Sequence, residues 1–248
     1  MKLCVIGNSH ASGAYSLLSH GTGAFEADFF LERATGKASL KIAGEVGAAV
    51  EIDDVMMARL VPVRTQKYDA FAVYAMGFSF GRCVEMFRDY APDGHPNSKA
   101  KYLVSDAFFD AAVQSILLDS KAVRIVRALR SFSNAPIVLV PQPLPMEWAA
   151  TRSLRRTEVF ADALRQNALQ RVLRIYSETV ERLRGDGFTV LGQPTETLAS
   201  EHFTLSEFGL ADPNDNRADS LFSRGDFFHA NERYAGAVLT SLATALRV

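Results

Sequence analysis

MKLCVIGNSHASGAY, residues 1–15, decides how this chain folds. Leu3 to Gly7 is an unbroken apolar run closed by glycine, the pattern of a buried β-strand. Gly7 and Asn8 break it, and Ala11 to Ser19 reads as a helix. Strand, tight turn and helix in this order place a small polar residue at the carboxyl end of a strand. Open α/β sheets bind their ligands there, beside a helix N-terminus. Ser9 is therefore either a helix cap or a nucleophile, and the rest of the sequence has to decide.

The same alternation continues outward. ADFFLE (27–32), DAFAVYAMG (69–77), IVLVP (137–141) and FTVLG (188–192) read as strands; KASLKIAG and AAVEID are shorter and β-like but interrupted by Gly44 and Gly47. Helical patterns cover Ser105 to Phe132, Thr157 to Leu183 and Ala230 to Leu246. Apolar runs without alternation belong to strands covered on both faces. The expected fold is α/β: a three-layer α/β/α sandwich around a central, mostly parallel five-stranded sheet of flavodoxin-like type. With 248 residues and no repeat or low-complexity linker, one domain spanning 1–248 is expected.

Bulk chemistry narrows the function. Hydrophobic residues make up 48% and charged residues 22%, with a net charge of −1, so no nucleic-acid partner is expected. No stretch approaches the ~20 apolar residues of a membrane helix, so no membrane insertion is expected. The start of the chain lacks a signal-peptide pattern, which gives a cytoplasmic expectation. Cys4 and Cys83 make no disulfide framework, and no Cys/His spacing suits a metal, so neither metal nor cofactor is expected. GNSHASG has neither the Gly-Lys-Ser/Thr end of a P-loop nor GxGxxG. Thr151 to Gly187 holds eight arginines, no lysine and five acids, either a solvated helix face or a basic rim for an anionic substrate.

The second informative stretch is GDFFHANERYAG (225–236). Asp226 and His229 stand three apart on a loop just before the last helix, close enough for the carboxylate to hold the imidazole. The imidazole then needs a nucleophile, and Ser9 lies at the sheet edge. Base beside nucleophile, with an acid orienting the base, is the logic of a serine triad.

At these residues the chain resembles the SGNH hydrolases, the GDSL esterase/lipase superfamily. Gly7-Asn8-Ser9 matches that superfamily's Gly-Asp-Ser signature after the first strand, with Asn8 in place of the aspartate. Asp226-Phe227-Phe228-His229, followed by Asn231 and Tyr234, matches its Asp-x-x-His block before the final helix. The resemblance spans nearly the whole chain and implies an SGNH-type sandwich with Ser9, His229 and Asp226 as catalytic residues. It implies an oxyanion hole from the Ser9 N–H, the Gly36 N–H and the block beginning at Gly77. There the family has Gly-x-Asn-Asp and this chain reads Gly77-Phe78-Ser79-Phe80, so Ser79 stands where the asparagine would donate. Losing one such donor costs about 3–4 kcal/mol of transition-state stabilisation. Either Ser79 partly replaces that donor, another group such as Asn97 or His10 swings in, or the enzyme is slow.

Further residues are expected near the substrate. His10 adjoins the nucleophile, and Phe78, Phe80 and Trp148 are candidates for the pocket wall, with Arg152, Arg155 and Arg156 on the same edge. His20, His95 and His202 receive no role. The leading expectation is a serine esterase or deacylase. It would hydrolyse short-chain acyl esters, acetyl among them, of a small molecule or carbohydrate, through an acyl-serine. The alternatives are an O-acyltransferase acting on a sugar hydroxyl with the same triad, and a catalytically impaired carbohydrate-binding protein. Oligomeric state is left open.

Overall fold

Unbroken apolar strands need cover on both faces, and helices supply it here. A computed structural model describes residues 1–19, 24–31, 41–43, 49–54, 59–64, 67–94, 100–151, 157–215 and 217–247. Gly36, Gly44, Gly47, His20, His95, Asn97, Arg152, Arg155 and Arg156 lie outside the described residues. In chain order the strands begin with β1 (Lys2–Gly7), β2 (Glu26–Leu31), β3 (Lys41–Ala43), β4 (Ala49–Asp54), β5 (Arg59–Arg64) and β6 (Ala70–Tyr74). They continue with β7 (Tyr90–Pro92), β8 (Tyr102–Val104), β9 (Ile137–Val140), β10 (Thr189–Val190), β11 (Leu198–Ser200) and β12 (Phe203–Thr204). The helices are α1 (Ser12–Ser19), α2 (Phe80–Glu85), α3 (Asp106–Leu118), α4 (Lys121–Phe132), α5 (Glu158–Arg165), α6 (Ala168–Gly185) and α7 (Glu232–Leu246).

The central sheet has five strands in the order β10-β9-β6-β1-β2, and every pairing is parallel. Alternate residues of one strand enter opposite cores. Leu3, Val5, Ala70, Ala72, Val138 and Val140 pack with Ala14 and Leu18 of α1 and Val238 and Leu242 of α7. Cys4, Ile6, Phe71, Val73, Ile137 and Leu139 pack with residues of α2 to α6. The expected α/β/α sandwich is therefore the observed architecture. Successive connections leave β1 in opposite directions, to β2 on one side and β6 on the other. The crevice at the carboxyl ends of β1 and β6 is the switch point of the sheet. Between β2 and β6 the chain inserts an antiparallel meander, β3-β4-β5. Its first two strands match the short β-like segments, while β5 was not anticipated.

Three elements are shorter than the periodicity suggests. The helix expected over 105–132 is two helices, α3 and α4. Ser120 Oγ accepts the Val123 N–H at 3.3 Å and starts α4 afresh. The helix expected over 157–183 is also two, because Asn167 adopts left-handed φ 56° between α5 and α6. The strand expected over 69–77 stops at Tyr74. Ala75, Met76 and Gly77 follow at φ 57°, 43° and 87°, a run of left-handed residues at the switch point. Each non-glycine there costs about 1–2 kcal/mol. The turn is pinned by Phe78 N–H to Ala75 O at 2.8 Å, Ala122 N–H to Met76 O at 3.1 Å and Gln142 N–H to Phe78 O at 3.0 Å.

Candidate active site

Ser9 stands where β1 runs out. A Cβ at Gly7 would lie 3.0 Å from the Cβ atoms of both Ala11 and Tyr74, so this position leaves no room for a larger side chain. Asn8 is extended, and its Oδ1 accepts the His10 N–H at 3.2 Å. Asn8 is thus the cap of the turn Ser9–Ala11 that leads into α1. The Ser9 hydroxyl is left for something else: its Oγ lies 2.9 Å from His229 Nε2.

His229 comes from the far end of the chain, on the loop before α7. Asn231 ends that loop as the N-cap of α7, its Oδ1 accepting the Tyr234 N–H at 3.2 Å. Asn231 Nδ2 also donates to Glu207 O at 2.8 Å and Gly209 O at 3.1 Å. The His229 carbonyl accepts the Leu210 N–H at 2.8 Å. His229 Nδ1 lies 2.8 and 2.9 Å from the two carboxylate oxygens of Asp226, and its backbone N–H donates to Oδ1 at 3.2 Å. Burial pushes the Asp226 carboxyl up, but the hydrogen bond and charge of His229, with backbone N–H groups of His229 and Phe228, outweigh it. The net shift is downward, so Asp226 is an anion at neutral pH and an acceptor for Nδ1–H. That fixes the proton on Nδ1 and leaves Nε2 as the acceptor for the Ser9 hydroxyl.

Between Asp226 and His229, two aromatic residues anchor the loop. Phe227 is fully buried, its ring centroid 5.0 Å from Phe160 and 6.2 Å from Trp148. Phe228 packs 4.0 Å from Phe227 and covers Gly81 of α2. A Cβ at Gly81 would come within 2.3 Å of Phe228 Cε1. Gly81→Ala is therefore expected to push Phe228 aside, lower stability by about 1–3 kcal/mol and disturb His229. Urea unfolding measures the first effect, and a shift of the His229 ring resonances in the NMR spectrum the second.

The other anticipated residues fall into place differently. His10 lies beside the site, its ring stacked on His229 with centroids 4.6 Å apart. Phe78 does not reach a pocket: it is fully buried, 5.6 Å from the Tyr176 ring, because the left-handed turn folds it back into the core. Phe80 is equally enclosed. Trp148 is 4% exposed and packs on Phe222 and Phe227, so it supports the Asp226–His229 loop from behind. Ser79 is fully buried, and its Oγ accepts the Arg82 N–H at 3.3 Å as the cap of α2. It serves the helix and presents no surface to a substrate oxygen. Gly77 remains at the switch point, and Gly36 lies outside the described residues. On the arginine-rich segment, Arg171 pairs with Asp106 and Asp110, Arg174 with Asp110 and Glu178, and Arg184 with Glu181. Arg171 and Arg174 thus tie α6 to α3, Arg184 pairs within α6, and all three are engaged in ion pairs instead of forming a basic rim.

A cleft of about 720 Å³ opens beside Asp226 and His229, lined also by His10, Glu85, Arg88, Asp89, Arg224 and Phe228. The charged residues on its wall carry no sequence mark that separates them from ordinary solvated surface. A second, mostly apolar cavity of about 360 Å³ lies by the ends of β9 and β10 and touches none of Ser9, Asp226 and His229. Among the described residues no group of three or more His, Cys, Asp and Glu is arranged to hold a metal ion. None of the described helices is long and apolar enough to cross a membrane.

No protein-family model matches the chain, and no curated protein matches it. Among solved structures, a GDSL-like lipase from Bacteroides thetaiotaomicron is similar over 99% of this chain and 87% of its own, at 9% identity and a TM-score of 0.42. A DUF4886 family protein from Bacteroides uniformis is similar over 98% and 83%, at 9% identity and a TM-score of 0.40. Likenesses this distant say nothing about the chemistry, which rests on the side chains above.

Proposed function

We propose that this chain is a serine esterase or deacylase acting on short-chain acyl esters. The observation that carries the reading is the continuous line from Ser9 Oγ through the His229 ring to Asp226, with contacts of 2.9 and 2.8 Å. His229 Nε2 takes the hydroxyl proton as Ser9 Oγ attacks the ester carbonyl. The C–O bond to the alcohol breaks, His229 returns the proton to the departing alkoxide, and an acyl-serine remains. Water, deprotonated by the same Nε2, then releases the acid. Asp226 stays ionised throughout and stabilises the imidazolium. The backbone N–H groups of Ser9 and Gly77 receive the oxyanion. Ser79, committed to its helix, is left out of that role.

The polar wall of the cleft, Glu85, Arg88, Asp89 and Arg224, favours a hydrophilic alcohol portion such as a sugar. The same space would admit a sugar acceptor, and acyl transfer would then compete with hydrolysis from one acyl-serine. The reading of a binding protein without chemistry is disfavoured by the assembled hydrogen bonds of Ser9 and His229. Turnover of an aryl acetate tests the proposal. Hydrolysis that falls by about 10⁴-fold or more in Ser9→Ala is expected. Equal turnover in a folded Ser9→Ala protein would overturn it.

A further inference from the structure

His10 follows Ser9 directly, and the triad as described makes no use of it. Its ring lies almost parallel to that of His229, with planes 10° apart. Its Nδ1 is enclosed and has no hydrogen-bond partner among the described residues. The hydroxyl of Tyr74, the last residue of β6, is enclosed and unpartnered as well. Both residues line one small cavity of about 10 Å³, together with Gly13, Pro143, Asn231 and Tyr234. Two buried polar atoms without partners are unfavourable in a low-dielectric interior. A cavity with room for roughly one water, lined by the two residues that carry these atoms, can hold an ordered internal water.

We propose that a single buried water joins His10 Nδ1 to the Tyr74 hydroxyl, and that the ring so anchored is a positioning residue for His229. This rests on the serine-hydrolase reading. The anchored ring limits rotation of the His229 imidazole, so that Nε2 stays aimed at Ser9 Oγ. It must also be uncharged, since a cation at 4.6 Å would oppose the charge His229 gains with the proton. Burial first, and then the nearby His229, push His10 down to about 3, against the opposing pull of Asp226. The other titratable groups around it are Tyr74 and Tyr234 across the small cavity, and Glu85, Arg88, Asp89 and Arg224 along the cleft.

The test separates ring from water. His10→Phe keeps a flat ring and loses Nδ1; His10→Asn keeps a polar group near that position and loses the ring. The rate at which a fluorophosphonate labels Ser9 is expected to fall about tenfold or more in His10→Asn and His10→Ala, and to fall by less but measurably in His10→Phe, which keeps the ring and loses its anchor. Water-to-protein nuclear Overhauser transfer, which needs no activity, is expected to show a long-lived water at the His10 ring that disappears in Tyr74→Phe. Wild-type labelling rates in all three His10 variants would overturn the positioning role. The lack of a long-lived water at His10 in the wild type would overturn the bridge. Failure of the wild type itself to label at Ser9 would instead overturn the hydrolase reading and the positioning role with it, leaving the bridge to be judged by the water signal.

Discussion

Asp226→Asn is expected to lower ester turnover by about 10⁴-fold while leaving the fold intact. The reason lies in the direction of one proton. Asp226 accepts from both the ring and the backbone N–H of His229, and its carboxyl is held below the ordinary carboxylate range. As an acceptor only, it keeps the ring proton on Nδ1. An asparagine amide turns its NH₂ toward Nδ1 and stabilises the opposite tautomer. The proton then sits on Nε2, 2.9 Å from Ser9 Oγ, where a base is needed. Size and packing hardly change, so the loss should come almost wholly in kcat. Steady-state kinetics on an aryl acetate, with a melting curve as control, measures it. Turnover within a few-fold of wild type would mean that Asp226 does not orient His229.

The second large effect concerns acid. His10 is pushed from the ordinary 6.5 to about 3, chiefly by burial. Between those values the unfolded chain binds a proton that the folded chain refuses. Folding stability is therefore complete above pH 6.5 and falls as pH drops toward 3, by up to about 1.4 kcal/mol per pH unit from this ring. His202 is also lowered, by burial first, and adds in the same sense. Asp226 contributes only further down: its stabilisation is full above the ordinary carboxylate value of about 3.9 and is lost below it. Urea unfolding from about pH 6.5 to 5 thus reads the histidines before the carboxylates begin to protonate. His10→Phe should flatten the slope by nearly one proton's worth. An unchanged slope would mean that the His10 ring protonates freely in the folded state.

Much of the frame was legible in sequence because it depends on local patterns. Unbroken apolar runs closed by glycine gave the parallel strands, and two short motifs gave the partners Ser9, Asp226 and His229. The misread elements share a different cause. Ser120 interrupts a continuous apolar period with one capping hydrogen bond, which the period does not register. Ala75 and Met76 carry no mark of left-handed backbone, yet their turn ends β6 early and sends Phe78 inward. A buried aromatic and a pocket-lining one have the same sequence signature, so Phe78 and Trp148 read as wall and proved to be core. Ser79 holds an oxyanion donor's place in its block, whereas its neighbours make it a helix cap. Asn8 illustrates the converse: as a cap of the turn it releases Ser9 from that duty.

Covalent trapping tests the triad most directly. The purified protein would be treated with a fluorophosphonate and the adduct mapped by mass spectrometry, with Ser9→Ala and His229→Ala alongside. One phosphonyl group on Ser9, absent from Ser9→Ala and strongly slowed in His229→Ala, is expected. A folded wild-type protein that stays unlabelled, or that labels equally without His229, would contradict the assignment of Ser9 as a nucleophile activated by His229.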